Sequence, residues 1–271
     1  MAIHQQNHQE VDLIKLPFLR RPTIKNSDRV EILPGALGLD FHNHLIPGVD
    51  DGMENYEDAI LTIAGLKTLG FSGAVLTPHL YHGVFNNRAE VLRKTFTTFT
   101  TRLQNDGIDF PLSLAGEYFA DDYFLKLIEA GDLLYTAIGN ERWVLLEFPY
   151  LQESPFATAC LAALVANGFR PVIAHVERYR FVAQAPDNWL KQYARYGAVL
   201  QGDIGSLAGQ HGEGVKRFAA WLLERNYIEI WGTDVHKSKQ IERHIVPGLA
   251  LLSASGQLNN ALNPMLMAVT S

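Results

Sequence analysis

Residues 39–52 read Leu-Asp-Phe-His-Asn-His-Leu-Ile-Pro-Gly-Val-Asp-Asp-Gly, and both the fold and the site are predicted from this stretch. An apolar lead-in places His42 and His44 at positions i and i+2 of an extended segment, where side chains point to the same side. A proline- and glycine-containing loop then delivers two carboxylates, Asp50 and Asp51. Imidazole nitrogens combined with carboxylate oxygens favour Zn, Mn or Fe over Ca or Mg. The stretch indicates a transition-metal site, although a His-x-His pair alone is more often a hydrogen-bonded loop.

The composition is that of a globular protein with one large core. The chain has 271 residues, of which 47% are hydrophobic, and an α/β barrel of this size is commonly a single domain, although two domains remain possible. Its one cysteine, Cys160, excludes an internal disulfide and favours a reducing compartment. Cys160 lies in an apolar helical context with no arginine nearby to lower its pKa, so we do not expect it to be a nucleophile.

Charge and hydropathy argue against nucleic-acid binding and stable membrane insertion. The formal net charge is −6, so no basic surface is expected for nucleic acid or anionic lipid. No segment approaches the roughly 18 apolar residues that cross a bilayer, and residues 1–10 lack a signal-peptide core. We therefore expect a cytoplasmic protein. Residues 11–24 alternate apolar and basic groups, but two prolines prevent a long amphipathic helix, which favours a strap packed over the domain.

Strand-like and helix-like segments alternate seven times along the chain. Apolar runs predict strands that end near residues 41, 76, 115, 146, 174, 200 and 231. Helical spacing predicts helices over residues 56–69, 87–103, 121–129, 154–166, 187–196 and 214–225, with one or two more after residue 238. This alternation implies a parallel sheet with helical crossovers, either a closed barrel or a doubly wound open sheet.

Polar residues of metal-binding type follow almost every predicted strand. They are His42, His44, His79, Glu117, Glu147, His175, Asp234 and His236. Taken singly, each is typical of a loop histidine, a helix cap or an ion pair. In a barrel the strand ends surround one site, so these residues and Asp51 would place four carboxylates and five histidines at one mouth. Such a cluster is costly without cations, which favours a metal centre.

The same residues give the chain a family resemblance. From residue 39 to 236 it resembles the polymerase and histidinol phosphatase (PHP) superfamily, because the family's motifs occur in order: His42-x-His44, Thr77-Pro78-His79, Gly116-Glu117-Tyr118, Glu147, His175-x-Glu177-Arg178-Tyr179 and Asp234-x-His236. Residues 47–52 and 175–179 resemble the bacterial tyrosine-phosphatase branch, which acts with tyrosine autokinases in capsule and exopolysaccharide synthesis. The resemblance implies a distorted (β/α)₇ barrel in residues 37–271, after an N-terminal extension of residues 1–36.

The resemblance also implies three divalent metal ions, with Mn expected and Fe or Zn as alternatives. The first ion would be bound by His42, His44, Glu117 and Asp234. A second would share Glu117 and be held by Glu147 and His175, and a third by Asp51, His79 and His236. Arg178 matches the family arginine that binds phosphate, and its planar guanidinium suits phosphoryl oxygens.

Charge balance independently favours the fuller occupancy. The four carboxylates carry −4, so three divalent ions leave the site at +2, whereas one ion leaves it at −2. Only the positive site attracts a phosphate dianion. Metal coordination lowers the pKa of bound water from about 16 toward 7, which predicts in-line attack by hydroxide without a phosphoenzyme. A tyrosine leaving group has a pKa near 10, so His236 or a bound water is sufficient to assist its departure.

Some positions depart from the family pattern or leave alternatives open. The histidinol-phosphatase branch commonly has histidine where Asp51 stands, and relatives often have asparagine where Asp203 stands. Four aromatic residues near the predicted mouth either contact an aromatic substrate or pack its rim: Tyr118, Phe119, Tyr150 and Tyr179. The main hypothesis is a tyrosine phosphatase. The alternatives are a histidinol-phosphate or other small-molecule phosphomonoesterase, and a non-catalytic metal-bound scaffold that binds a kinase tail.

Overall fold

The strands of this protein form a curled parallel sheet, a half-barrel against which the helices pack. The structure, a computed structural model, describes residues 37–258. The predictions for residues 1–36 and for the tail after residue 258 lie outside the described residues.

Ten short strands and nine α-helices are present in the described residues. The strands are β1 Leu39–Asp40, β2 Gly73–Leu76, β3 His79–Leu80, β4 Leu112–Leu114, β5 Glu117–Phe119, β6 Thr136–Ile138, β7 Glu141–Glu147, β8 Arg170–Ile173, β9 Val199–Asp203 and β10 Ile230–Gly232. The helices are α1 Tyr56–Thr68, α2 Ala89–Asn105, α3 Asp122–Ala130, α4 Ala157–Ala166, α5 Arg180–Gln184, α6 Pro186–Arg195, α7 Ile204–Leu207, α8 Glu213–Glu224 and α9 Val246–Ala254. A 3₁₀ turn spans Val176–Arg178, and a π-helical turn at Ile241–Ile245 leads into α9.

The pairing of the strands follows the predicted parallel order. One sheet runs β1-β2-β4 and the other β10-β9-β8-β7-β5-β3, with β6 antiparallel on β7. Only residues 77–78 separate β2 from β3, and only residues 115–116 separate β4 from β5, so each pair is one interrupted strand. Beyond β1 the chain pairs with the segment after β10 through a bridge between Asn43 and Val235. The predicted distorted (β/α)₇ barrel is thereby confirmed, whereas β6, α5 and α7 were not predicted.

Local side-chain contacts set the helix ends. The Asn55 side chain accepts a hydrogen bond from the amide of Asp58 at the start of α1, and Asp121 accepts one from Phe124 at the start of α3. The prediction that Ser154 begins α4 is wrong by three residues, because the helix starts at Ala157. Ser154 instead donates its hydroxyl to the carbonyl of Ala120 at 2.6 Å, which ties the approach to α4 to the loop after β5.

Two predicted mouth aromatics belong to the core. Tyr118 and Tyr179 are fully buried, and their hydroxyls accept the amides of Leu134 and Phe148 at 2.7 and 3.1 Å. Of the two alternatives left open for these residues, the structure favours packing, since each hydroxyl satisfies a buried backbone donor. Cys160 is also buried, and burial raises the pKa of its thiol to about 12.

None of the helices between residues 37 and 258 is both long enough and apolar enough to cross a bilayer.

The packing of α4 generates a test of the core. Leu164 is fully buried, whereas the next residue, Val165, is 45% exposed. Leu164→Ala is expected to lower the free energy of unfolding by about 2–5 kcal/mol, because it leaves a cavity between helix and sheet. Val165→Ala is the matched control and should change it by less than about 0.5 kcal/mol. Urea denaturation followed by circular dichroism measures both, and equal effects would contradict this packing.

Candidate metal centre

All nine predicted ligands come together at the carboxyl ends of the strands. They are placed as follows: His42 and His44 after β1, Asp51 before α1, His79 at the start of β3, Glu117 at the start of β5, Glu147 at the end of β7, His175 after β8, and Asp234 and His236 after β10. Residues far apart in sequence thus form one cluster, because the curled sheet brings the strand ends around a common point.

A first group of four ligand atoms is deeply buried. Nε2 of His42 lies 3.3 Å from Nε2 of His44, from Oε2 of Glu117 and from Oδ1 of Asp234. Nε2 of His44 lies 3.4 Å from the same Glu117 oxygen and 3.2 Å from the same Asp234 oxygen. Four ligands bonded at about 2.0–2.2 Å to one ion stand about 3.0–3.5 Å apart. The spacing of these atoms therefore fits a shared transition-metal ion.

The second group adjoins the first through Glu117. Its other oxygen, Oε1, lies 3.0 Å from Nε2 of His175, and that nitrogen is 3.5 Å from Oε1 of Glu147. The two carboxylate oxygens of Glu117 thus face different groups. A cation in either group would therefore have an oxygen of Glu117 available to it.

The third group lies nearest to solvent. Oδ1 of Asp51 is 3.5 Å from Nε2 of His79 and 3.5 Å from Nε2 of His236. The Asp51 side chain is 60% exposed, whereas those of His79 and His236 are 12% and 20% exposed. Nδ1 of His79 also lies 3.1 Å from Oε2 of Glu117, so the third group is continuous with the first.

Two of the candidate ligands have an unusual backbone conformation. Among residues 37–258, three non-glycine residues have positive φ, and His175 (φ 31°) and Asp234 (φ 45°) are two of them. A left-handed conformation is costly for residues with a Cβ and is concentrated at functional sites. In both cases it turns the side chain at a strand end toward the cluster.

Unpartnered polar atoms show that the donor set fits metal ions. Within the described part of the chain, Oε2 of Glu117, Oδ1 of Asp234 and Nδ1 of His175 are buried and have no hydrogen-bond partner. Leaving a buried acceptor unpaired costs about 1–3 kcal/mol, and more if it is charged. The Glu117 and Asp234 oxygens are the same atoms that meet His42 and His44. A cation among them would satisfy all four ligands.

The pKa values of several side chains in the cluster are shifted far from their ordinary values. Burial opposes charge on His42, but Glu117 and Asp234 outweigh it and raise the pKa of His42 to about 9. Burial and the charge of Glu117 raise the pKa of Glu147 to about 8. Burial, together with Arg178, lowers the pKa of His175 to about 4. Burial and the neighbouring charges thus shift these pKa values in opposite directions, and metal ions compete with protons for the same lone pairs.

Two residues outside the predicted set orient the histidines. Oδ2 of Asp50 accepts a hydrogen bond from Nδ1 of His44 at 2.9 Å, and Oε1 of Gln201 accepts one from Nδ1 of His42 at 3.1 Å. Both partners leave Nε2 of the histidine free to face the cluster. Sequence reasoning missed both residues as partners of the histidines. The signals that could have found them are that Asp50 stands beside a predicted ligand and that Gln201 is a polar residue within an apolar strand.

Arg178 lies at the edge of the cluster. Its Nη1 donates to Oδ2 of Asp234 at 2.5 Å and its Nη2 donates to the hydroxyl of Tyr150 at 2.7 Å. Tyr150 in turn donates to Oε1 of Glu147 at 2.5 Å. The guanidinium is therefore fixed between two candidate ligands, and its side chain is 15% exposed.

Asp203 is the carboxylate at a position where relatives often have asparagine, and its two oxygens accept hydrogen bonds from Gly205 and His211. Its Oδ1 accepts the amide of Gly205 at the start of α7, and its Oδ2 accepts from Nε2 of His211 at 2.8 Å. The Asp203 side chain is buried and caps a helix.

Comparison with known proteins gives a consistent set of relatives. The tyrosine-protein phosphatase YwqE of Bacillus subtilis is 29% identical over 79% of this chain and 83% of its own length. The putative tyrosine-protein phosphatase CapC of Staphylococcus aureus is 24% identical over 73% of this chain and 76% of its own.

Solved structures agree with these relatives. One solved structure comes from a set described as YwqE from Bacillus subtilis and CpsB from Streptococcus pneumoniae, unique metal-dependent tyrosine phosphatases. This chain superimposes on it with a TM-score of 0.72 and 27% sequence identity, and the match covers 85% of this chain and 91% of that one. A histidinol phosphate phosphatase from Lactococcus lactis, solved with zinc, L-histidinol and phosphate, shares the fold at a TM-score of 0.51 and 15% identity, covering 81% and 93%.

The profile of the family described as capsular polysaccharide synthesis, CpsB/CapC, matches residues 38–255. These residues include every candidate ligand and the whole of the curled sheet. With most of its length matched, the chain belongs to the CpsB/CapC family of capsular polysaccharide synthesis.

Proposed function

We propose that this protein is a metal-dependent protein-tyrosine phosphatase. The observation that carries the proposal is that Nε2 of His42 and Nε2 of His44 lie 3.3 Å apart, and that each lies 3.2–3.4 Å from one oxygen of Glu117 and one of Asp234. Those two oxygens have no hydrogen-bond partner among the described residues. The relatives named as tyrosine-protein phosphatases and the metal-dependent ones among the solved structures support it.

Three divalent ions are assigned to the three groups, with Mn as the expected metal and Fe or Zn as alternatives. His42, His44, Glu117 and Asp234 would hold the first ion, Glu117, Glu147 and His175 the second, and Asp51, His79 and His236 the third. Bound there, divalent ions supply water activated at neutral pH and the positive charge that attracts phosphate.

Residues at the edge of the cluster bind the substrate and manage its leaving group. Arg178 places Nη1 against Asp234 and Nη2 against the hydroxyl of Tyr150, and its planar guanidinium at the edge of the cluster is of the kind that binds phosphoryl oxygens. His236 lies in the most exposed group, and its Nδ1 donates to the carbonyl of Asp234 at 2.8 Å. With Nε2 bound to an ion, a water held in this group would give the proton to the departing phenolic oxygen, and His236 would position that water. A phenol needs little acid assistance because its pKa is near 10.

The proposed substrate is a phosphotyrosine protein, specifically a tyrosine autokinase of polysaccharide synthesis, encountered in the cytoplasm. Support comes from the capsular polysaccharide description of the family and from the resemblance of residues 47–52 and 175–179 to the tyrosine-phosphatase branch. A protein substrate also requires an open site. Asp51 meets this requirement, since its side chain is 60% exposed at the outer edge of the cluster.

The cleft beside the cluster argues against histidinol phosphate as the substrate. An amino alcohol phosphate needs a carboxylate to bind its ammonium group. Among the described residues that line the cleft, the only carboxylates are Asp51 and Glu147, which are candidate ligands. A scaffold that binds metal without turnover is disfavoured because the complete donor set is retained.

The first test is metal dependence of phosphotyrosine hydrolysis. A tyrosine-phosphorylated peptide should be hydrolysed, activity should be lost on chelation and recovered on addition of Mn²⁺, and His42→Ala should lower kcat/KM by about 10³-fold or more. His82→Ala is the matched control, because His82 is exposed and stacks on Tyr123 outside the cluster.

Two outcomes would contradict the proposal. Cleavage of histidinol phosphate by a protein inert toward phosphotyrosine would assign a small-molecule phosphatase. A folded, metal-loaded protein that hydrolyses no phosphoester would establish the scaffold.

The assignment of Arg178 to phosphate binding has its own test. Arg178→Ala should lower kcat/KM by about 100-fold while the metal content of the protein is unchanged, because the guanidinium contacts phosphate rather than the ions. Steady-state kinetics and elemental analysis measure the two quantities, with Arg180→Ala as the exposed control. Loss of metal in Arg178→Ala would instead make it a support for Asp234.

The hydrogen bond from His44 to Asp50 predicts a change in metal affinity. Asp50→Asn keeps the shape of the side chain but weakens its hold on Nδ1 of His44, and should lower metal affinity about 10- to 100-fold. Competition with a chelating dye measures this affinity, and the exposed Asp109→Asn serves as control. Equal affinities in the two variants would show that Asp50 does not support a ligand.

A further inference from the structure

An aromatic cleft opens directly beside the candidate metal centre. It has a volume of about 380 Å³ and is bounded at one end by Asp51, His79 and Glu147. Its other walls are mainly apolar and include Phe119 and Tyr150. A ligand held by the third group of candidate ligands would therefore extend into this space.

The rings that line the cleft are held in fixed orientations. Tyr81 and Phe119 are stacked with centroids 3.9 Å apart and planes 7° from parallel. Phe85 lies parallel to the ring of His79, with centroids 5.2 Å apart. Tyr81, Phe85 and Phe119 are only half-buried, so each is fixed by a partner and still leaves surface open to the cleft. A wall of this kind offers stacking and edge contacts to a further aromatic ring.

Tyr150 connects the cleft to the groups that would bind phosphate. Its ring lines the cleft and is 39% exposed, while its hydroxyl donates to Glu147 and accepts from Arg178. The guanidinium carbon of Arg178 lies 4.8 Å from the centroid of the Tyr150 ring. The apolar cleft thus begins where the candidate phosphate-binding groups end.

We propose that this cleft is the subsite for the phenyl ring of phosphotyrosine, and that Phe85, Phe119 and Tyr150 determine the preference for aryl over alkyl phosphates. The inference rests on the proposed phosphatase function. In phosphotyrosine the ester oxygen is bonded directly to the ring, so a phosphoryl group placed between Arg178 and the ligands puts the ring against these walls. An alkyl phosphate has no ring to fill the cleft and gains nothing from it.

The test compares aryl and alkyl substrates in Phe119→Ala and Phe85→Ala. Phe119 belongs to β5, whereas Phe85 lies in the loop before α2, so the two variants perturb different parts of the chain. In each, kcat/KM for a phosphotyrosine amide should fall about tenfold or more, while kcat/KM for glycerol phosphate and inhibition by inorganic phosphate stay unchanged. Tyr135→Ala is the control, because Tyr135 is 39% exposed, as Tyr150 is, but contacts Phe169 at the opposite end of the sheet.

A binding measurement keeps the inference testable without turnover. Calorimetry on the metal-loaded protein should show tighter binding of benzylphosphonate than of methylphosphonate, and Phe119→Ala should abolish the difference. The conservative Phe119→Leu, which keeps apolar bulk, should retain part of it. Metal content and circular dichroism of each variant establish that the fold and the ions are intact.

Three results would overturn the inference. They are equal losses on aryl and alkyl phosphates, an aryl-to-alkyl ratio that does not change, and a loss confined to a phosphorylated protein with the amide unaffected. The last would assign the cleft to a flanking peptide segment. Failure of the phosphatase function would be seen separately, as a wild-type protein without activity on any phosphoester.

Discussion

The constraint on which this structure depends is the burial of two carboxylate oxygens that no hydrogen bond satisfies, Oε2 of Glu117 and Oδ1 of Asp234. Glu117 is 1% exposed, and its two oxygens face His42, His44 and His79 on one side and His175 on the other. A buried charge of this kind destabilises the fold unless opposite charge surrounds it. The histidines share protons with the carboxylates and reduce this cost, and cations would remove more of it. The strand ends therefore surround buried negative charge, and bound cations would lower the free-energy cost of burying it.

The two interrupted strands, β2–β3 and β4–β5, contribute to this arrangement of the ligands. Breaks at residues 77–78 and 115–116 let His79 and Glu117 restart the pairing as direct partners in β3 and β5. The second break leaves no room for a side chain at Gly116, since a Cβ there would lie 2.4 Å from Leu80. A continuous strand would keep the strict alternation of sides, and the break is what frees the placement of these two ligands.

A buried polar network joins the first and last strands beneath the cluster. Asp40 accepts from the amide and hydroxyl of Thr233 at 2.9 and 2.6 Å, and from the side-chain amide of Asn43 at 3.1 Å. Burial, the largest influence, raises the pKa of Asp40 to about 6. Asn43 also donates to the carbonyl of Val75 in β2. The contact between the first and last strands is polar because one short segment, residues 40–44, supplies both these contacts and two candidate ligands.

The sequence was sufficient for the order of the strands and for the residues at their ends, because both follow from local patterns: apolar runs, helical spacing and polar residues after each run. The sequence was not sufficient to predict which side of the strand each side chain next to Glu117 faces. Tyr118 and Phe119 are adjacent and face opposite sides, and the break at residues 115–116 hides which of them faces the core. The structure puts Tyr118 in the core and Phe119 in the cleft. The sequence placed Asp50 beside a predicted ligand but not its contact with His44, since only the folded loop shows which of two neighbouring carboxylates contacts that histidine.

The exposure of the cluster is graded, and the gradient matches the position of the aromatic cleft. The first group is almost fully buried and braced by Asp50 and Gln201, whereas the third group ends in the exposed Asp51. At the buried end, His42 and His44 each have a hydrogen-bond partner that orients the ring. The exposed end is the side on which the cleft opens, because Asp51 and His79 both line it. The histidines with oriented rings therefore lie at the buried end of the cluster and the aromatic cleft at its exposed end, which is the division that the proposed metal site and the proposed ring subsite require.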